Sequence, residues 1–398
     1  MSRTVTVTSN AEEAELNAEC AALIAQTGAD IYFTDTWRAA WWSHYGQSWS
    51  RSRRPATLVV RDGTKVVAVL PFCIERFWLG LVPVHLARLA GVDPNFAVMT
   101  LPVTEGYARI VFEAAFTHLI CALKCDAISF SPISERSTQL SALRDATATN
   151  KNVVLCRDRS LRHHTLMELP ETPEEFFADL SKSRRREHRR DIKRLTETAG
   201  LETGRSTPET VEAAVNRFVA QHSEQWAKKG RGGHFSDWPM AKPFYRALLE
   251  RFALLGQAGL DELWLGDVLL SSQLRYSQGS KAYWWLNSRS TAPEFAKIGL
   301  GRVGLVERVG DLIRAGIRTI DAGAGEYEYK LAYGGELVAI HDLLISRGKF
   351  CARMRVKALI VWADVLHLLY YRLWFLKVAP RLRLSSQPLW RSWIRSRF

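Results

Sequence analysis

The run "TLVVRDGTKVVAVLPF" (57–72) places β-branched clusters on both sides of Asp62-Gly63. Two such runs around an Asp-Gly pair predict a β-hairpin, because that dipeptide tolerates the backbone of a tight turn. Ahead of it, "TDTWRAAWWSHYG" (34–46) reads as a short helix with Thr34 or Asp35 as N-cap and Gly46 as its stop. A helix around 107–125 and a strand "AISFSPI" (127–133) follow. "HHTLMELP" (163–170) reads as another strand. "ETPEEFFADL" then opens a helix, with Thr172 as N-cap, Pro173 in the first turn and Glu175 completing a capping box. Three helices are expected next: "SKSRRREHRRDIKRLTETAG", a second from Thr207-Pro208 to about Lys229, and a third over 242–259. The strands "ELWLGD", "VLLSSQLRYSQ" and "KAYWWLN" lead through a glycine-bearing loop into the helix "GLGRVGLVERVGDLIRAG" (299–316). The strand "IRTIDAG" comes directly after it.

The order carries a hint of duplication. "TWRAAWW" precedes "LVVRDGTKVVAVLPF" much as "FYRALLERF" precedes "LWLGDVLLSSQLRY". In both places a helix leads by a short loop into a two-stranded hairpin. At 398 residues the chain is too long for one ordinary core. Two similar domains are therefore expected, residues 1–160 and 161–348, followed by a tail over 349–398.

Charge sharpens this division. The net charge is +13. Residues 349–398 hold 11 Lys/Arg against one acid, Asp364, or +10, and residues 182–194 hold 8 basic against 2 acidic residues, or +6. The remainder is 13 − 10 − 6 = −3. Charge confined to two segments points to a surface or a polyanion at two places, not to general nucleic-acid binding. On the basic helix Arg185, Arg189 and Lys193 share one face, and Arg186, Arg190 and Arg194 the next. The six cysteines form no CxxC pair, so neither a zinc site nor a disulfide framework is expected and a cytoplasmic location is. The N-terminus lacks the pattern of a signal peptide. No apolar run reaches 18 uninterrupted residues, so no transmembrane helix is predicted. The tail instead predicts a peripheral hold on the inner face of the cytoplasmic membrane. Charges interrupt "ALIVWADVLHLLYYRLWFLKVAP", whose tryptophans and leucines suit an anionic interface over residues 350–398.

Candidate chemistry sits in two stretches. In "AKIGLG" (296–301) two glycines stand where a helix starts, and free N–H groups with the helix dipole make an anion site there. Lys297 adds charge; tight helix packing is the other use of such glycines. In "IDAGAGEYEYK" (320–330) four small residues leave room beside the backbone, followed by two tyrosines and a lysine. Asp321 or Glu326 is a possible general base, and Tyr327 or Tyr329 a possible acid. Trp284, Trp285 and Asn287 lie on the preceding strand, where alternate side chains face opposite sides. Trp37, Trp41 and Trp42 fit helical packing, with sugar stacking as their functional alternative.

The ordered series "TWRAAWW", "LVVRDGTKVVAVLPF", "LSKSRRREHRRDIKRL", "GSKAYWWLN", "GLG" and "IDAGAGEYEYK" resembles the CelD-type (BioF2-like) GNAT acetyltransferases, relatives of the Fem-type transferases, over residues 30 to 348. The resemblance implies an α/β architecture of tandem GNAT-like folds, with "KAYWWLN" and "IRTID" splayed to form an acyl-thioester cleft. It implies a transferase using acetyl-CoA, without a metal, on an amine or hydroxyl of a sugar or cell-envelope precursor. Trp285, Asn287, Lys297, Gly299, Leu300, Gly301 and Arg302 would then bind the cofactor. Asp321, Tyr327, Tyr329 and Lys330 would serve catalysis, Lys330 holding a phosphate, a carboxylate or the developing oxyanion. The family pattern of the pyrophosphate loop has Arg or Gln where Ala296 stands. The alternatives are a Fem-type transferase using aminoacyl-tRNA and a non-catalytic, membrane-attached accessory protein of polysaccharide synthesis.

Overall fold

The computed structural model describes residues 4–10, 18–46, 53–92, 96–197, 200–231, 233–238, 240–382 and 388–397. The chain divides into two compact units. One comprises residues 1–163, 338–382 and 389–398, and the other 164–337 and 383–388.

Along the first part run β1 (Val5–Asn10), α1 (Ala18–Gln26), α2 (Asp35–Trp41), β2 (Arg53–Asp62), β3 (Lys65–Leu79), β4 (Val82–Leu89), α3 (Ala108–Thr117), β5 (Ala127–Ser134), α4 (Gln139–Thr149) and β6 (Val153–Glu168). The hairpin expected at Asp62-Gly63 joins β2 to β3, with Asp62 opposite Lys65 and Gly63 at φ +59°. β1, β2, β3 and β4 are antiparallel, and β4 meets β5 in parallel over three pairs, Leu86 to Ala127, Ala87 to Ile128 and Arg88 to Ser129. Trp37 and Trp41 are buried, and the Trp37 indole donates to the Gly91 carbonyl at 2.8 Å. Packing, not sugar stacking, is their role.

The second unit repeats the scheme. It contains α5 (Pro173–Asp179), α6 (Lys182–Thr196), β7 (Leu201–Arg205), α7 (Val211–Ala227), α8 (His234–Asp237), α9 (Ala241–Leu254), β8 (Ala258–Leu265), β9 (Val268–Gln278), β10 (Lys281–Arg289), α10 (Leu300–Arg314), β11 (Thr319–Ala324) and α11 (Glu328–Leu331). The capping box at Thr172 and Glu175 starts α5. β7 to β10 are antiparallel, and β10 meets β11 in parallel, again over three pairs: Lys281 to Thr319, Ala282 to Ile320 and Tyr283 to Asp321. α10 crosses between them and buries Leu305, Val309, Leu312 and Ile313 with Met167, Trp284 and Ile320. Two mixed α/β units with one strand order make the tandem architecture explicit.

Each unit ends on an antiparallel strand that follows the other's parallel pair in the chain. The end of β6 closes the second unit, with Met167 opposite Ile320 and Leu166 opposite Asp321. β12 (Glu336–Arg347) closes the first, with Leu343 opposite Phe130 and Ile345 opposite Ile128. Residues 338–348, read from the sequence as the end of the second domain, thus belong to the first. So do residues 349–382 and 389–398 of the tail, which is no separate appendage. Its helix α12 (Phe350–Leu366) buries Val356, Leu359 and Ala363 against Phe77, Val84, Leu86, Ala127 and Leu344, because small and branched residues recur on one helical face. The helix runs on through a wider coil (His367–Val378) into α13 (Ala379–Arg381), and α14 (Ser392–Ser396) follows. By length and composition alone, the 32-residue helix Phe350–Arg381 is sufficient to cross a membrane, which the interrupted apolar runs did not suggest.

Candidate functional site

Two parallel strands that pair for only three residues must part, and what lines the parting decides its chemistry. In the second unit β10 stays on β9 as far as Arg289 opposite Ser271, while β11 stays on β6 as far as Ala324 opposite His164. Their mutual pairing ends at Tyr283 and Asp321. A register shift between Trp284 and Leu286 makes Trp285 the extra residue of a bulge, which re-aims the strand at the point of parting. The Trp285 side chain lies outside the described residues, and Trp284 is buried in the core.

Asp321 sits at the mouth of this parting, almost fully buried. Its Oδ1 accepts from the Gly323 N–H at 2.9 Å and lies 3.3 Å from His164 Nδ1, itself buried on β6. Its Oδ2 has no hydrogen-bond partner among the described residues. A buried carboxylate held by one oxygen leaves the other to accept a hydrogen bond from a bound group. Gly323 (φ +75°) and Gly325 (φ +117°) supply the backbone that carries the chain around Asp321; a Cβ on Gly325 would collide with the Tyr327 ring.

Tyr329 and Asn287, expected in separate roles, are brought together. Asn287 Nδ2 donates to the Tyr329 hydroxyl oxygen at 3.1 Å, and the phenol O–H has no acceptor among the described residues. Burial pushes the Tyr329 phenol up to about 12, against the opposing effect of the Asn287 hydrogen bond. Tyr327 is half exposed, with its ring 5.9 Å from that of Tyr329.

Lys330 is buried. Its ammonium donates inward to the Ala322 and Gly323 carbonyls and lies 5.0 Å from the centre of the Tyr327 ring. Burial draws its pKa down to about 8, partly countered by Asp321. The two hydrogen bonds tie its side chain to the Ala322–Gly323 backbone.

The start of α10 is partly taken. The Gly299 N–H donates to Asp191 Oδ2 at 3.0 Å, and Arg302 reaches the same oxygen at 3.0 Å. The Leu300 N–H donates to the Ile298 carbonyl, those of Arg302 and Val303 to Gly299, and the Leu300 side chain is core. Gly301 differs: a Cβ there would meet nothing nearer than Arg289 Cδ at 3.9 Å. The open approach is therefore at Gly301, flanked by the exposed residues Arg289 and Lys297. Sequence reasoning missed Arg289, although a cation ending the strand before a glycine loop was a visible signal. It also missed His164, whose partner lies 157 residues away.

The basic stripe of α6 is largely engaged within the unit. Arg184 pairs with Glu187 at 3.2 Å, Arg190 with Asp191 at 3.3 Å and Lys193 with Glu197 at 3.6 Å, while Arg189 stacks over Phe177.

Residues 182–331 match the family model described as "Acetyltransferase (GNAT) domain". No curated protein matches the chain. Among solved structures, that of FemX is 13% identical, covers 82% of this chain and 96% of its own, and superposes with a TM-score of 0.58. L-PGS from Bacillus licheniformis (13% identity, 85% and 93% covered, TM-score 0.49) and a tandem GNAT protein from the clavulanic acid biosynthesis pathway (15%, 87% and 99%, 0.44) are weaker likenesses. The family-model match lies within the second unit. The FemX likeness extends a shared fold over most of the chain.

Proposed function

We propose that the second unit is an acyltransferase that moves an acyl group, acetyl in the first instance, from an acyl-CoA thioester to an amine or hydroxyl. The observation carrying this reading is the parting of β10 and β11 with Asp321, Tyr329 and Asn287 gathered at it. The acceptor nitrogen or oxygen attacks the thioester carbonyl carbon, forming the new C–N or C–O bond as the C–S bond breaks. Asp321 Oδ2 takes the acceptor's proton, while His164 and the Gly323 N–H keep the carboxylate in place. The Tyr329 hydroxyl, protonated through the physiological range, gives its proton to the departing thiolate. Backbone N–H groups at the Trp285 bulge polarise the carbonyl, and the thioester's phosphates lie against Gly301, Arg289 and Lys297. The ordered motifs that resemble CelD-type sequences favour a sugar or cell-envelope precursor as acceptor.

Incubating the full chain with acetyl-CoA and a panel of amino sugars and sugar alcohols tests this by thiol release. Turnover that Asp321→Asn abolishes while acetyl-CoA binding persists supports it. Acetyl-CoA binding undetectable by calorimetry sinks it. A second reading, transfer from aminoacyl-tRNA, is favoured by one observation: Asp191 already occupies the Gly299 N–H at the helix start. Aminoacyl transfer from charged tRNA without any response to CoA would select it.

A further inference from the structure

The tail helix changes character half-way along. Its first half is seated on the first unit through Ala352, Val356, Leu359 and Ala363, and Asp364 lies 3.4 Å from Arg159 and 3.5 Å from Arg397. From His367 to Val378 no residue is buried, and Leu368, Leu369, Leu373, Trp374 and Leu376 are exposed. The seated half cannot also cross a bilayer. That leaves the 17 residues Val365–Arg381, containing Arg372 and Lys377, where a span needs about 20 apolar residues and each central charge costs about 2.5–3.5 kcal/mol.

A second apolar element stands beside it. The tip of the β3–β4 hairpin exposes Trp78, Leu81 and Val82, with Leu81 94% exposed and the Arg76 guanidinium 5.2 Å from the Trp78 ring. The hairpin's other face is tied to the helix: Phe77, Leu79 and Val84 belong to one hydrophobic cluster with Val356, Leu359, Leu366 and Tyr370. Tryptophans and leucines interspersed with long cations are the composition of an interfacial helix. The same charge argues against self-pairing, since two copies of residues 349–398 would bring +10 against +10.

We propose that this edge of the first unit docks on an anionic lipid bilayer, the helix end lying in the interface plane and the hairpin tip inserting as a second wedge. The surface is independent of the acyl-transfer chemistry. The test is flotation of the full chain with vesicles of phosphatidylcholine containing about one-quarter phosphatidylglycerol, against phosphatidylcholine alone. The protein should float with the anionic vesicles at low salt, at least about tenfold more strongly than with the neutral ones. Leu81→Asp and Trp374→Asp, both at exposed positions, should each weaken flotation by about tenfold or more with an unchanged melting temperature. Absence of flotation overturns the proposal, as does either variant binding like the parent chain. Self-association by sedimentation without vesicle binding would assign the face to a second copy and overturn it equally.

Discussion

The loop after β4 and the loop after β10 meet the same topological gap and treat it in opposite ways. In the first unit the chain from Phe96 to Thr104 continues the sheet where β4 stops. Val98 bridges in parallel to Ile133 and exchanges hydrogen bonds with Pro132 and Ser134, while Pro102 and Thr104 bond to Val69 and Val67 of β3. Where the second unit has Tyr283 and Asp321, the first has Arg88 and Ser129, with Arg88 and Arg53 paired at 3.1 and 3.0 Å to a buried Glu75. The two arginines hold the Glu75 carboxyl below its usual range despite its burial. One copy of the scheme is thus filled by backbone and ion pairs. The other keeps a carboxylate oxygen and a phenol O–H that have no partner of their own among the described residues.

The sharpest way to break this contrast is at its centre. Asp321→Asn should lower turnover by about 10²–10⁴, the usual worth of a positioned acid or base, while Ser129→Ala at the matching place in the first unit leaves it unchanged. Equal losses from both would end the assignment of the site to one unit. Next comes Lys330, whose folded pKa of about 8 lies below the unfolded value near 10.4. Burying its charge penalises the folded state below pH 8, and the penalty is relieved as pH rises to about 10. Stability should therefore increase over that window by about 3 kcal/mol at most, and Lys330→Met should remove the rise. Chemical denaturation at pH 7.5 and 10 reads it; identical pH profiles would leave the lysine without its positioning role. Val98→Ala should cost the plugged unit about 2 kcal/mol without altering turnover. A change in kcat there would mean the first unit takes part in the chemistry. Smallest is Gly301→Val, expected to weaken acetyl-CoA binding by about tenfold by blocking close approach to the helix start, measured by calorimetry. Unchanged affinity would move the phosphates elsewhere.

Much of the frame was legible because it is local. The Asp-Gly hairpin, the Thr172 capping box and the strand–loop–helix–strand order around 281–324 depend on residues within a few positions of each other. β4 escaped notice because "VPVHLARL" mixes Pro, His and Arg into its pattern, and burial against β3 and the tail helix compensates for them. β12 was hidden for a different reason, since its place follows from pairing with β5, some two hundred residues earlier. In the site, Asp321, Tyr329 and Asn287 could be named from their stretch. That Lys330 turns inward could not be, because its carbonyl partners become available only once Gly323 and Gly325 have folded the loop over it. His164 and Asp191 act across 157 and 108 residues, and no spacing rule reaches that far.

The exchanged closing strands bear on how the molecule is made. A ribosome that has released residues 1–163 has not yet released the strand that covers β5, because β12 ends at Arg347. Until then the nascent first half carries an open sheet edge, the kind that recruits foreign strands. Its hairpin and aromatic core can form early, yet completion waits until β12 is released. For the same reason the gene cannot be divided cleanly between its two repeats. A cut after β6 would deprive the first unit of β12 and the second of the end of β6, and a cut before it would still leave the first unit without β12.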